Sequence, residues 1–230
     1  NTLLPVAYAE NFSDISGHWA EDQIQTMNEN GIVNAYPDGT FKPDNNMTKA
    51  EFYKVINHLM GFEAKVQEME FKDIDDTDWY YEEVAKALAR GYIKDGEYLN
   101  PNDPISREEV ARIIGFVYDL EKDAASARYF SDNISISIAA RGYVGALKVK
   151  GLIQGYPDGT FGPQNNITRA EAITMLSNIV EAEGIPEIEE EIEEKKPTKP
   201  ATTRPYYGGG GGGGGGRDET MIKKQKNQMY

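Results

Sequence analysis

Apolar side chains recur at helical spacing in three stretches of the chain, and each stretch follows a Thr or a Ser. These residues are Thr48, Ser106 and Thr168, and the apolar positions after each lie three and four residues apart. The spacing predicts three amphipathic helices. Their apolar faces consist of Phe52, Val55, Ile56, Leu59 and Met60 in the first, Val110, Ile113, Ile114 and Val117 in the second, and Ala172, Met175, Leu176, Ile179 and Val180 in the third.

Each of these helices is predicted to begin with a capping box. In this pattern a Ser or Thr hydroxyl accepts a hydrogen bond from the backbone N–H three residues on, and a Glu at that position reaches back with its carboxylate. We therefore expect a structural role at the helix starts for six residues: Thr48, Glu51, Ser106, Glu109, Thr168 and Glu171.

A further helix and a turn are predicted before the capping boxes. The segments HWAEDQIQTMNEN and DWYYEEVAKALAR begin with a His-Trp or Asp-Trp pair, and a glycine stands twelve residues after each Trp, where a C-cap glycine belongs. The segments AYPDGTFKP and GYPDGTFGP predict turns, because Pro fixes φ and Gly takes the left-handed position.

One unit of about 60 residues occurs three times. We assign the units to residues 10–68, 69–127 and 128–185 and name them repeats 1, 2 and 3. Three apolar helix faces bury one another most simply around a common axis, which predicts a mainly α, pseudo-threefold domain with three equivalent clefts. The markers of the unit are phenylalanines 59 residues apart, each followed two positions later by Asp, and glycines 60 residues apart: Phe12, Phe71 and Phe130, then Gly31, Gly91 and Gly151.

The two ends of the chain do not follow the repeat. Residues 1–9 contain apolar side chains and the sequence Ala-Tyr-Ala, which fits either a signal-peptide remnant or a short extended arm. Residues 186–230 combine an acidic run, a Pro-rich stretch and nine consecutive glycines. We expect this second segment to be a disordered tether.

Charge and composition exclude several classes of partner and site. The net charge of −14 argues against nucleic acid, although six Glu residues are concentrated between positions 187 and 194. The chain has no Cys and two His, and no apolar run approaches the roughly 18 to 20 residues that span a bilayer. An EF-hand beginning at Asp73 fails, because Asp78 and Val84 stand where Gly and Glu are required. We expect no cofactor, no metal and no membrane insertion.

The order of the motifs resembles that of the S-layer homology (SLH) family over roughly residues 10 to 183. The motifs are Phe-x-Asp, HWA, a Gly-apolar pair, GYPDGTF-x-P and ITRAE, repeated with variations in three tandem units. The resemblance implies a secreted bacterial protein attached noncovalently to the cell wall through secondary cell wall polysaccharide, often with ketal-linked pyruvate on N-acetylmannosamine. It also implies a three-pronged spindle with a central three-helix bundle and with polymer-binding grooves between adjacent repeats.

The resemblance places three cations, Lys49, Arg107 and Arg169, against the wall polymer. Each follows a cap residue, at the end of the helix where the dipole disfavours a cation. The free N–H groups of a helix N-terminus attract anions, and an arginine adds a bidentate partner for the pyruvyl carboxylate. A surface arginine beside an ordinary helix cap is the alternative interpretation.

Further ligand contacts are implied at aromatic and turn positions. Trp19 and Trp79 either stack on sugar faces or belong to the core, and the same alternatives hold for Tyr36 and Tyr156. Four other residues form the turns first of all, and the resemblance adds that their loops line the grooves: Asp38, Gly39, Asp158 and Gly159.

The three repeats match the family pattern unequally. Repeat 1 has Lys49 in place of Arg, and an ammonium group is not a planar fork. Repeat 2 has KDGEYLNP in its turn and an additional Glu108 beside the cation, and repeat 3 has Ala139 at the Trp position. We therefore expect one or two competent grooves instead of three.

These expectations combine in a binding module, not an enzyme, that anchors a secreted protein to the cell wall. No Ser/His/Asp order and no catalytic pair of carboxylates stands out. One alternative is a self-assembling S-layer subunit or scaffold whose tail holds protein cargo or lattice neighbours. Another is the anchor of a truncated extracellular enzyme.

Overall fold

The computed structural model describes residues 12–63 and 69–186, which form six α-helices, two short 3₁₀ helices and no strand. The predicted mainly α fold class is confirmed. The expected arm or signal remnant at residues 1–9 and all but the first residue of the expected tether lie outside the described residues. The α-helices are α1 (Glu21–Glu29), α2 (Lys49–Leu59), α3 (Tyr81–Ala89), α4 (Arg107–Val117), α5 (Ile138–Val149) and α6 (Arg169–Glu183), and the 3₁₀ helices are Ser126–Tyr129 and Asn133–Ser135.

Helices α2, α4 and α6 begin directly after their cap residues. The capping box is complete at α2 and α6, where hydroxyl and carboxylate both bond to the backbone. At α4 the Ser106 hydroxyl accepts from the Glu109 N–H at 3.2 Å, which is the first half of the box. The apolar faces of these helices are buried as their spacing predicts, with Val117 and Val180 half-buried at the last turns.

Helices α1 and α3 begin later than the sequence predicts, two residues after Trp19 and Trp79. Both end before the predicted glycines, Gly31 and Gly91, whose φ angles of +74° and +76° are left-handed. In repeat 3, α5 begins after Ser137, whose hydroxyl caps it. The Trp-containing segment therefore leads into the helix instead of forming its first turn.

Each first helix packs against the second helix of a neighbouring repeat. α3 contacts α2, α5 contacts α4, and α1 contacts α6. Because the last pair joins repeat 1 to repeat 3, these contacts close a cycle. α4 and α6 also contact each other. The spindle and the central three-helix bundle implied by the resemblance stay predictions.

A ring of three backbone hydrogen bonds joins the segments just before α2, α4 and α6. The N–H of Met47 donates to the carbonyl of Ile167 at 3.0 Å, that of Ile105 to Met47 at 2.9 Å, and that of Ile167 to Ile105 at 3.1 Å. All three side chains are buried. The ring therefore fixes the starts of the three helices beside one another.

The aspartate of each Phe-x-Asp motif holds the loop that leads to the next helix. Its carboxylate accepts from two successive backbone N–H groups, at 2.6 to 3.0 Å. The second of these N–H groups belongs to a left-handed residue in every repeat, with φ of +53° to +67°. The three carboxylates are those of Asp14, Asp73 and Asp132, and the left-handed residues are Lys42, Asn100 and Gly162.

Candidate functional site

The backbone N–H groups at the starts of α2, α4 and α6 already have acceptors. The first two of each helix donate to carbonyls in a loop of another repeat, at 2.9 to 3.0 Å. At α4, for example, Arg107 donates to Asn165 and Glu108 donates to Pro163. The third N–H donates to the cap hydroxyl at 3.2 Å. The expectation of free N–H groups is therefore wrong, and side chains are what remains to recognise an anion there.

Arg107 of repeat 2 lies against the turn of repeat 3. Its Nη2 donates to the carbonyl of Gln154 at 2.8 Å, and its Nη1 lies 3.4 Å from the Glu171 carboxylate. The guanidinium carbon is 5.0 Å from the ring centre of Tyr156, within the range of a cation–π contact. The buried Nε finds no acceptor within the part of the chain that the structure describes. The guanidinium is thus fixed in place by its contacts with repeat 3.

Arg169 of repeat 3 takes the equivalent position against repeat 1. Its Nε donates to the carbonyl of Phe41 at 2.9 Å, its Nη1 lies 3.5 Å from the Glu51 carboxylate, and its guanidinium carbon is 4.7 Å from the ring centre of Tyr36. Arg169 and Arg107 are each only 7% exposed. The alternative of an ordinary surface arginine is therefore excluded for both.

Two cap residues also hold the arginines. The Glu51 carboxylate accepts from the Thr48 N–H at 2.9 Å and from the Tyr36 hydroxyl at 2.5 Å, in addition to its contact with the arginine. Burial, helped by this bond to Glu51, raises the pKa of Tyr36 to about 12 and keeps its hydroxyl a donor at neutral pH. Glu171 repeats the arrangement more loosely, 3.4 Å from the Tyr156 hydroxyl.

Trp19 and Trp79 lie at the surface, with exposed fractions of 61% and 56%, so a core position is wrong for both. Trp19 borders two cavities of about 560 and about 430 Å³ that share Tyr156 and Glu171. The smaller cavity also contains Arg107. We call Arg107, Tyr156, Glu171 and Trp19 the Arg107 groove. Its residues come from all three repeats.

The equivalent residues of the next repeats form what we call the Arg169 groove: Arg169, Tyr36, Glu51 and Trp79. Glu51 lies near the start of α2 and contacts the arginine. Lys54, one turn further along α2, has its Nζ 5.8 Å from the ring centre of Trp79. α2 therefore connects the arginine and the tryptophan of this groove.

The turn aspartates make their hydrogen bonds within their own turns. Asp38 accepts from the backbone N–H and the hydroxyl of the Thr two residues on, at 3.1 and 2.5 Å, and Asp158 does the same at 2.9 and 2.7 Å. These bonds lower the pKa of Asp38 to about 2 and also lower that of Asp158. Gly39 and Gly159 follow with φ of +77° and +81°. Their part in the turns is visible, and ligand contact stays a prediction.

One position that sequence reasoning missed distinguishes the two arginine grooves. In the Arg169 groove, the Nζ of Lys42 lies 4.3 Å from the ring centre of Tyr36 and 3.1 Å from the Asp38 carboxylate. Gly162 has this position in the Arg107 groove, and a Cβ there would lie 2.7 Å from the Tyr156 ring. The available signal was the variable residue in GYPDGTF-x-P, which is Lys in one repeat and Gly in another.

Comparison with known families agrees with this threefold organisation. The family model of the S-layer homology domain matches residues 11–52, 70–111 and 129–173, one segment in each repeat. The chain belongs to the S-layer homology family. This membership confirms the resemblance seen in the motifs, the expected location at the bacterial cell surface and the general role of surface anchoring.

Relatives of this SLH chain include enzymes and surface proteins. It is 34% identical over 182 residues to an amylopullulanase of Thermoanaerobacterium thermosulfurigenes, covering 77% of this chain and 10% of that protein. It is 32% identical over 159 residues to a cellulosome-anchoring protein of Acetivibrio thermocellus, covering 65% and 35%. For an S-layer protein of Bacillus licheniformis the identity is 30% over 189 residues, covering 76% and 20%. The chain spans a tenth to about a third of the length of these relatives.

The third SLH cation has different surroundings. Lys49 donates from Nζ to the carbonyl of Leu99 at 2.9 Å, and Leu99 stands where the other two repeats have Phe. We call the position beside Lys49 and Leu99 the Lys49 groove. Ala139 has the Trp position of repeat 3, and the two tryptophans of the chain both belong to the other grooves. The Lys49 groove therefore has no indole, and an ammonium group takes the place of the guanidinium of Arg107 and Arg169.

Glu108, expected beside the cation of repeat 2, has another function in the SLH fold. It is buried, and its two carboxylate oxygens accept from the Ser137 N–H and from the Gln164 side-chain amide, both at 2.8 Å. The carboxylate thus joins the start of α5 to the loop before α6. It does not act as a counter-charge to Arg107, which interacts with Glu171.

The described part of the chain offers neither a cluster of metal-binding side chains nor a membrane-spanning helix. Among residues 12–63 and 69–186, no group of three or more His, Asp or Glu side chains is placed to hold a metal ion. None of the helices in these ranges combines the length and the apolar character that a membrane-spanning helix needs.

Proposed function

We propose that the chain anchors a larger secreted protein to the cell wall by noncovalent binding of an acidic secondary cell wall polysaccharide. The recognised group is a pyruvyl ketal on N-acetylmannosamine, and the binding sites are the Arg107 groove and the Arg169 groove. One observation carries the proposal: at two equivalent positions a buried arginine lies beside a tyrosine. The Arg107 pair shares a cavity with the exposed Trp19 of repeat 1, and the exposed Trp79 lies beside Lys54 on the helix whose Glu51 contacts Arg169.

The arginines suit a carboxylate because their positions are set before a ligand arrives. Each is held by a backbone carbonyl and a Glu, so little side-chain freedom is lost on binding. A guanidinium has five N–H donors, and the contacts of Arg107 with Gln154 and Glu171 use only two of them. Charge-assisted hydrogen bonds are stronger than neutral ones, and water screens them less at a partly buried site.

The tryptophans supply an apolar surface for a sugar ring. Trp19 is 61% exposed in the free chain, so stacking a pyranose face on its indole removes apolar area from water. Such burial contributes about 25 cal/mol per Å². Trp79 has the same exposed character in the Arg169 groove, and Lys54 beside it adds a cation for the acidic polymer.

We infer that the Lys49 groove does not bind the polymer. Lys49 offers a compact ammonium group that is already bonded to the Leu99 carbonyl, and an ammonium cannot grip a carboxylate with two parallel bonds. The loop beside it has Leu99 in place of an aromatic ring. Two competent grooves agree with the expectation of one or two.

We propose no catalytic role for the acids of the grooves. Glu51 and Glu171 are each bonded to a helix cap and an arginine, which leaves them poorly suited to transfer protons to a substrate. Enzymatic activity in some relatives then belongs to the parts of those proteins that this chain does not match.

Titration calorimetry of the full 230-residue chain tests the proposal. The titrant is purified wall polysaccharide, either native or after mild acid removal of its pyruvate. Arg107→Gln and Arg169→Gln are each expected to weaken binding at their own groove at least tenfold, equal to about 1.4 kcal/mol, so that one site remains of two. Lys49→Gln is the matched control at the same helix position and is expected to bind like wild type.

Because both arginines are buried, each variant is first compared with wild type by thermal unfolding. Arg107→Lys serves as a second variant that keeps the charge but loses the planar fork, and it is expected to bind as poorly as Arg107→Gln. Binding that ignores both the pyruvate and the arginines would refute the proposal. Absence of binding, together with sedimentation of the chain as large assemblies, would favour the self-assembling S-layer subunit.

A further inference from the structure

A separate cavity adjoins the Arg107 groove in repeat 3. Its volume of about 390 Å³ lies in the range of about 300 to 1,000 Å³ that is typical of small-ligand clefts. Gln154 and Tyr156 border both this cavity and the groove. We call it the Tyr129 cavity, after the side chain that lines it together with Lys148. A linear polymer that leaves the groove past Tyr156 therefore enters this cavity.

Tyr129 is the most accessible aromatic side chain of the cavity. Its exposed fraction is 73%, although the next residue, Phe130, is fully buried as part of the Phe-x-Asp motif. The ring stands at the end of the 3₁₀ helix Ser126–Tyr129. An exposed aromatic ring beside a cavity offers a flat apolar face on which a sugar ring can stack.

Lys148 adds a cation to the same cavity. Its Nζ lies 5.3 Å from the ring centre of Phe130, and the side chain belongs to the last turn of α5. An ammonium group at this point can donate to sugar hydroxyls or to an acidic substituent. Gly155 and Gly159 also line the cavity.

The repeated fold does not require either side chain. The position of Tyr129 is Asn11 in repeat 1 and Glu70 in repeat 2, and the position of Lys148 is Asn28 and Leu88. A residue needed for packing would be expected to be similar in all three repeats. The pair of an exposed tyrosine and a lysine is therefore particular to repeat 3, next to the Arg107 groove.

We propose that the Tyr129 cavity is an additional subsite for the wall polysaccharide. Tyr129 stacks on the sugar residue next to the one held in the Arg107 groove, and Lys148 donates to its oxygens. This inference rests on the proposed function of the groove. It makes the Arg107 groove a site that recognises at least two consecutive sugars, whereas the Arg169 groove, beside which Asn28 takes the place of the lysine, recognises fewer.

Two probes of different length separate the subsite from the groove. One is a methyl glycoside of pyruvyl-ketal N-acetylmannosamine, which fills the groove only, and the other is the intact native polysaccharide. In the full chain carrying Arg169→Gln, Tyr129→Ala is expected to weaken polysaccharide binding about three- to tenfold and to leave the glycoside Kd unchanged. Tyr129→Phe, which keeps the ring, is expected to bind both probes like its parent. Calorimetry measures each Kd.

Tyr98→Ala is the matched control, because Tyr98 is also exposed and has Lys72 near its ring, 5.9 Å away, but lies in repeat 2. It is expected to change neither Kd. The subsite is refuted if Tyr129→Ala binds the polysaccharide as its parent does, or if it weakens both probes equally. If the parent chain binds neither probe, the proposed function itself fails and the subsite fails with it.

Discussion

The Arg107 groove and the Lys49 groove share a backbone and differ in side chains. In both, the start of a helix donates two N–H groups to a loop of another repeat, and a Phe-x-Asp carboxylate holds that loop. The Arg107 groove adds a guanidinium stacked on tyrosine and an exposed indole. The Lys49 groove has an ammonium group bonded to the Leu99 carbonyl, and Ala139 stands at its Trp position. The shared backbone therefore maintains the fold, and the side chains determine whether a groove binds a ligand.

If the loop held by the Phe-x-Asp carboxylate is equivalent in all grooves, replacing that aspartate should lower the free energy of unfolding equally in each. Asp132 supports the loop of the Arg107 groove and Asp73 that of the Lys49 groove, each through two backbone bonds. Asp132→Asn and Asp73→Asn replace one acceptor by a donor and remove the charge. Both are expected to lower the free energy of unfolding by about 2 kcal/mol, measured by urea denaturation.

Asp158→Asn is the control for this pair. Asp158 is exposed and accepts both of its bonds through Oδ1, an atom that Asn retains, so the change is expected to be within about 0.5 kcal/mol. Very different losses of unfolding free energy for Asp132→Asn and Asp73→Asn would show that the loops held by these aspartates are not equivalent in the two grooves.

A second comparison concerns the residue that follows the turn, which is Gly162 beside the Arg107 groove and Asn100 beside the Lys49 groove. A Cβ at Gly162 would lie 2.7 Å from the Tyr156 ring and 2.6 Å from the Asn165 amide, so a side chain there must displace one of them. In the Arg169→Gln background, Gly162→Lys is expected to weaken polysaccharide binding about fivefold. Calorimetry measures the change.

Asn100→Lys provides the matched substitution in the Lys49 groove. Both positions are left-handed, where a lysine backbone costs about 1 to 2 kcal/mol, but only a Cβ at Gly162 would meet a groove tyrosine. Asn100→Lys is expected to leave binding unchanged. Equal effects of the two substitutions on binding would mean that the position of Tyr156 is unimportant.

Local sequence signals predicted the local structure well. The capping pattern of Thr48 and Thr168 predicts where α2 and α6 begin, and the glycines after α1 and α3 predict where those helices end. These features depend on residues within one or two turns of each other, which a single sequence displays directly. The repeat itself was visible from the spacing of Phe and Gly.

The features that sequence reasoning missed are contacts between distant repeats. The N–H groups of α6 have acceptors because a loop of repeat 1 lies against them, and Arg169 is buried because Phe41 and Glu51 come from that same repeat. More than 100 positions separate these partners in the sequence. Helix-end chemistry alone therefore suggested that free N–H groups were available to an anion, whereas loop carbonyls of another repeat already accept from these groups.

The central claim is that two grooves, each with one tryptophan, bind the acidic group of the wall polymer. Because the chain has only Trp19 and Trp79, Trp79→Phe makes fluorescence a reporter of the Arg107 groove, and Trp19→Phe makes it a reporter of the Arg169 groove. The most direct measurement is titration of these two single-tryptophan chains with native and with pyruvate-free polysaccharide. We predict that native polymer shifts the emission of both and that pyruvate-free polymer shifts neither. Unchanged emission of both chains at polymer concentrations where calorimetry shows saturation would contradict the claim.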